Sequence, residues 1–130
     1  MHVSQIANIN KMRPSQRYWY FIRKIVDFEE VWTLKGDSGW LTVRDLTSGG
    51  LGAPFWPELD FALECAEGEW EGATPERIAL GTFKEKWIPR LKNDGIFISV
   101  FPIQSGKTIN RCPQKLLLDV KSEIRRYEYR

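Results

Sequence analysis

Acid–base, nucleophilic and metal chemistry in a small domain rests on histidines, thiols and carboxylates, and this sequence offers few of them in useful places. Its one histidine is His2, beside the first methionine. Chain ends are the usual seat of mobile, exposed side chains, so His2 reads as a terminal residue rather than a catalytic base or a zinc ligand. Without it, Ser-His-Asp and Cys-His catalysis are excluded. The two cysteines, Cys65 and Cys112, lie far apart. Their spacing is neither a disulfide framework nor a zinc motif, and both read as buried, reduced thiols. Cys65 also lacks a histidine to make it a reactive thiolate. Asp27, Glu29 and Glu30 are of the right type to ligate a metal or to pair as acid and base. Nothing in their spacing fixes such a geometry, and they read as the solvated exit of a helix. The sequence therefore predicts no catalytic residue, no metal ligand and no cofactor.

Two phosphate-loop fragments fail on inspection. Ser105-Gly106-Lys107-Thr108 has the tail of a P-loop, but Phe101 stands where the first glycine is needed and β-type sequence follows. Gly50-Leu51-Gly52 needs a third glycine at 55 for dinucleotide binding, and Phe55 is there. Both read as turns.

The distribution of charge says more than its total. The 130 residues carry a net charge of +2, yet the stretch from Asp45 to Glu76 holds eight acids and no base. Basic residues flank it on both sides. Six tryptophans are present, and two of them, Trp56 and Trp70, lie inside this acidic stretch. Aromatic rings beside charges on irregular segments are the usual makeup of a binding hot spot. Trp56, Glu58, Asp60, Glu67, Glu69, Trp70 and Glu71 are accordingly the candidate contact residues for a basic protein partner. The competing reading is that both rings pin an acidic helix to a sheet.

Nucleic acid is not an expected partner. The basic residues Lys115, Lys121, Arg125 and Arg126 alternate with Asp119, Glu123 and Glu128, as on an ordinary solvated helix face. The aromatic run Tyr18-Trp19-Tyr20-Phe21 beside Arg17 and Arg23 suggests base stacking, but helical spacing turns Tyr18 and Phe21 inward and breaks the platform. No basic segment followed by an apolar run opens the chain, and the longest apolar stretch, Ile96 to Ile103, falls well short of the roughly 20 residues that span a membrane. The expectation is a cytoplasmic protein away from the membrane.

The elements that must carry these residues follow from periodicity. Residues 1–13 read as a loosely attached helix carrying Ile6 and Ile9. Pro14 then opens a helix whose Tyr18, Phe21, Ile22 and Ile25 share one face, with Arg17, Arg23 and Lys24 off it. Val31–Lys35 and Trp40–Arg44 read as a hairpin around the four residues Gly36-Asp37-Ser38-Gly39. Thr47 to Gly52 reads as a flexible loop and Pro54 to Pro57 as extended chain. Glu58–Ala66 is predicted helical, with Leu59, Ala62, Leu63 and Ala66 inward. A short strand from Arg77 to Leu80 precedes a helix started by a Thr82–Glu85 capping box and kinked at Pro89. The run from Ile96 to Phe101 is the natural central strand, Thr108 to Arg111 an edge strand. Pro113 opens the last helix, lined by Leu116, Leu117, Val120, Ile124 and Tyr127. The sum is an α+β fold: a mixed, mainly antiparallel sheet packed against several helices in a single domain, residues 1–130.

The runs Arg17-Tyr18-Trp19-Tyr20-Phe21-Ile22-Arg23-Lys24, Glu29-Glu30-Val31-Trp32, Phe55-Trp56-Pro57, Glu64-Cys65-Ala66 with Trp70, and Phe83-Lys84-Glu85-Lys86-Trp87 before Asp94-Gly95 resemble an uncharacterised bacterial family, domain-of-unknown-function family 2750. The resemblance extends from about Arg17 to the last helix. It implies a small bacterial cytoplasmic protein and carries over no catalytic or binding residue. The glycine-rich segment after Leu46 is looser than the resemblance suggests, and Cys112 stands where a small polar helix cap is usual. The functional expectation is a non-catalytic protein-binding domain, of immunity or regulatory type. The alternative is a small-ligand binder or enzyme built on carboxylates and aromatics in a pocket.

Overall fold

Proline at a first helical turn costs no hydrogen bond, and Pro14 opens the helix on which the core is assembled. The computed structural model describes residues 3–104 and 107–129, so His2 and the Ser105-Gly106 pair lie outside the described residues. Helix α1 (Val3–Asn10) leads into α2 (Pro14–Phe28). Tyr18, Phe21, Ile22 and Ile25 are buried as their spacing predicts. Residues 1–13 read as loosely attached, yet α1 places Ile9 in the core, and the Met12 carbonyl takes a 2.8 Å hydrogen bond from Arg17. Arg17 itself, expected off the apolar face, is only 2% exposed.

Two sheets follow. Strand β1 (Glu30–Gly36) pairs antiparallel with β5 (Thr74–Ala79) along its length and with the two-residue β2 (Gly39–Trp40) at its end. Gly36 faces Gly39 directly, so the hairpin loop is the two residues Asp37-Ser38 rather than four. The positive φ of the turn falls on Gly39, the first residue of β2, and not on Asp37 or Ser38. The second sheet has the order β3 (Val43–Arg44), β4 (Leu51–Phe55), β6 (Phe97–Val100), β7 (Ile109–Arg111). Its β4–β6 pair is parallel and every other pairing is antiparallel. This is the mixed, mainly antiparallel α+β arrangement expected. One bridge joins the two sheets: Trp32 and Trp56 exchange backbone hydrogen bonds of 2.9 and 2.8 Å.

The glycine-rich segment departs from expectation. Leu51 and Gly52 belong to β4 and not to a flexible loop. A Cβ on Gly52 would fall 2.1 Å from the Phe97 ring across the β4–β6 pair, so glycine is there for close approach.

Helix α3 (Leu59–Cys65) and a 3-10 turn (Gly68–Trp70) fill the connection from β4 to β5. After β5 the chain passes directly into helix, through α4 (Leu80–Thr82), a π turn (Phe83–Trp87) and α5 (Ile88–Asn93). Ala79, not Thr82, is the N-cap, and no side chain caps this start. The expected capping box does not form because Thr82 is already helical. Pro89 has no N–H to give back to the preceding turn, and the chain widens just ahead of it, Ile88 N–H reaching the Phe83 carbonyl. Helix α6 (Pro113–Glu128) closes the fold on Leu116 and Val120. Its N-cap, Cys112, makes no capping hydrogen bond, and Tyr127, expected inward, is half exposed.

Candidate functional site

Parallel strands end at the same edge of a sheet, and the crevice beyond their carboxyl ends is where α/β folds place ligands. Here β4 and β6 end together at Phe55 and Val100, and Trp56 and Phe101 come next. Phe101 is buried and adopts a left-handed φ of 51°, a strained setting for a non-glycine residue. Its neighbours hold it there. Arg17 Nε donates to the Phe101 carbonyl at 3.3 Å, and the other two nitrogens donate to the carbonyls of Met12 and Lys107. All three acceptors are backbone oxygens. Burial lowers the Arg17 pKa, and the carbonyls supply the hydrogen bonds a buried guanidinium requires.

The next carbonyl, Pro102, is claimed twice, by Trp56 Nε1 at 2.8 Å and by the Cys65 thiol at 3.3 Å. Burial pushes the Cys65 thiol up to about 11, the nearby Glu64 and Glu67 charges push the same way, and the hydrogen bond with Trp56 opposes them. A thiol so shifted is a packing group, not a nucleophile at neutral pH. Cys112, read as buried, is exposed at the start of α6.

Outside this junction lies the acidic face. The expected inward set on α3 was Leu59, Ala62, Leu63 and Ala66; the buried set is Phe61, Ala62 and Cys65. The helix is therefore turned so that Leu59 and Leu63 are 39% and 48% exposed. They stand one helical turn apart beside Asp60 and Glu64, which share the outward half of the helix, and Glu67 follows just past its end. A second apolar stripe, overlapping the expected one only at Ala62, won the core because it carries the Phe61 ring, which packs on Phe101 at 4.9 Å and on Tyr20 at 6.3 Å.

The seven candidate contact residues divide. Trp56 is 0% exposed; its backbone is tied to Trp32 and its indole to Pro102, so it faces no partner. Glu58 is half buried, one oxygen accepting the Tyr20 hydroxyl at 3.0 Å. Its other oxygen is buried and has no hydrogen-bond partner among the described residues. Burial first, then the Glu58 charge, raises the Tyr20 pKa and keeps its hydroxyl protonated as the donor. Asp60 is partly exposed on α3, Glu69 and Glu71 are exposed, and Glu67 is exposed but receives Gln104 Nε2 at 2.9 Å. Trp70 is half buried and meets Trp56 edge-on, centroids 6.0 Å apart at 87°. Clefts open on both sides of it, about 410 Å³ toward Pro102 and Gln104 and about 430 Å³ toward the β1–β2 hairpin. Leu59 and Leu63 are the contact candidates that sequence reasoning missed, and Trp56 is the one it misplaced.

Of the remaining carboxylates, Glu30 accepts from Arg77 and from the Trp32 indole, both at 2.8 Å. Glu29 ends α2 in the left-handed region, φ 55°. Among the described residues no group of three or more histidine, cysteine or acidic side chains could hold a metal ion, and no helix is long and apolar enough to cross a membrane.

Fold and surface together define a small α+β domain with an acidic helix whose leucines face outward. The chain belongs to the family described as protein of unknown function (DUF2750), whose model matches residues 18–120. No curated protein matches the chain.

Proposed function

We propose that this protein is a non-catalytic protein-binding domain that takes a basic partner on the outward face of α3 and the turn that follows it. The observation that carries the reading is the exposure of Leu59 and Leu63 at helical spacing beside Asp60, Glu64 and Glu67. Leucines in contact with acids offer apolar area for affinity and charge for orientation, the pairing that binds a basic amphipathic surface. Trp70 extends the patch as an aromatic anchor braced from below by Trp56. The specific form of the reading is an immunity-type protein that neutralises a basic toxin such as a nuclease; the family resemblance implies its setting, the bacterial cytoplasm.

The test is capture from the native cells with tagged protein at low and at high salt. The expected result is a stoichiometric basic partner that is lost at high salt and lost again when Glu67, Glu69 and Glu71 are changed to lysine or Leu63 to serine. Circular dichroism of both variants checks that the fold survives. A partner retained by both folded variants sinks the reading.

A further inference from the structure

Trp40 is 45% exposed although an indole ring is among the largest apolar groups a protein can bury. It is not loose. Its ring meets Trp87 edge-on, centroids 4.9 Å apart at 73°, and Trp87 stands edge-on to the buried Phe55 at 5.7 Å and 86°. Between these rings and α5 opens a cleft of about 380 Å³, floored by Leu41, Ala53, Leu91 and Ile96. A cleft of this size, with aromatic walls and a few polar groups at its mouth, has the usual makeup of a small-molecule site.

The polar groups define what it accepts. Lys86, Arg90 and Asp94 line the cleft. Asp94 takes Arg90 Nε at 3.0 Å, which fixes that guanidinium while leaving its other donors available. No ion pair holds Lys86 among the described residues, so its positive charge stands uncompensated beside the two indole rings, and Lys35 Nζ adds a second cation 5.0 Å from the Trp40 centroid. The wall carrying both Lys86 and Trp87 is the π turn, a rare geometry that concentrates at functional sites. Pro89 accounts for the widening, and the widened turn is what places Trp87 against Phe55 and Trp40.

We propose that this cleft binds a planar aromatic carboxylate, its ring against Trp40 and Trp87 and its carboxylate at Lys86, with Arg90 as the second donor. A neutral ring gains the aromatic walls and leaves the ammonium without a counter-charge. A cation is repelled by Lys86 and by Lys35, and an aliphatic acid leaves the aromatic wall without a ring packed on it. The cleft adjoins the acidic face, since Trp40, Leu41 and Thr42 also line the cleft beside Trp70, but its own charged groups, Lys86 and Arg90 against Asp94, are net basic, so it takes an anion and not the basic partner.

Titration of the full chain, labelled with nitrogen-15, with indole-3-acetate, benzoate and 2-naphthoate tests this, with neutral indole-3-acetamide alongside. The expected result is that at least one acid moves the indole N–H signals of Trp40 and Trp87 at millimolar concentration and leaves that of Trp56 in place. Indole-3-acetate should bind about ten-fold more tightly than its amide, and Lys86→Gln together with Arg90→Gln should abolish that preference. Because Trp40 is exposed, Trp40→Leu keeps the fold and weakens all three acids. Three acids that leave both signals unmoved, an amide that binds as tightly as the acid, or a preference that survives Lys86→Gln combined with Arg90→Gln each overturns the proposal.

Discussion

Trp56 and Trp70 stand in the same acid-only stretch and touch each other, yet they belong to different parts of the molecule. Trp56 follows β4, gives both backbone groups to Trp32 and its indole N–H to Pro102, and has no exposed surface. Trp70 ends a three-residue 3-10 turn, shows part of its ring, and has a cleft on either side. The difference is one of backbone. A ring on paired chain is fixed before its side chain makes a contact, whereas a ring on a turn is free to serve as a surface group. Charge in the surrounding sequence does not distinguish them.

The comparison breaks most visibly under truncation. Trp56→Ala removes a fully buried indole and leaves the Pro102 carbonyl short of one donor, for an expected loss of about 4 kcal/mol in urea unfolding. A loss as small as that of a surface substitution would move Trp56 out of the core. Next in size is Gly52→Ala. Its methyl must displace the Phe97 ring, and overpacking of that kind costs about 2 kcal/mol, measurable in the same way.

The two thiols sharpen the contrast between buried junction and surface. Cys112 should react with a maleimide in the native protein at neutral pH, while Cys65 stays protected until the protein unfolds. Burial raises the folded Cys65 pKa from 9.0 to about 11, so between those values the unfolded chain has lost a proton that the folded chain keeps. The stabilisation is therefore complete below pH 9 and declines as pH rises toward 11, a decline that Cys65→Ala should flatten. The smallest effect is at the surface: Glu69→Lys combined with Glu71→Lys should stay within about 0.5 kcal/mol of wild-type stability, while abolishing capture of the proposed partner.

Much of the architecture was legible because single stripes or runs dominated their segments. Tyr18, Phe21, Ile22 and Ile25 leave α2 one choice of face, and Ile96 to Phe101 has the composition of a buried strand, of which Phe97–Val100 pairs on both sides. The misreadings fall where two patterns compete. Helix α3 carries two apolar stripes at helical spacing, and only the packing of Phe61 on Phe101 and Tyr20 selects between them. Gly50-Leu51-Gly52 has turn composition, and only the Phe97 ring across the sheet shows that Gly52 is a strand residue. The acids of the proposed contact face were visible as composition. The leucines that complete it, and the burial of Trp56, depend on tertiary contacts that local sequence does not encode.

The Trp32–Trp56 bridge also bears on how this chain reaches its fold. Strand β1 ends at Gly36 and meets its main partner only when β5 begins at Thr74; β4 ends at Phe55 and its parallel partner begins at Phe97. The only tight hairpin among the described residues, β1 with β2, closes two residue pairs. Most sheet pairing thus repays its loop-closure entropy late, which puts the domain among slower folders than a helical bundle of equal length. The bridge is the point at which two separately closed loops become mutually dependent, since neither backbone group of Trp32 or Trp56 finds its partner until both sheets have come together.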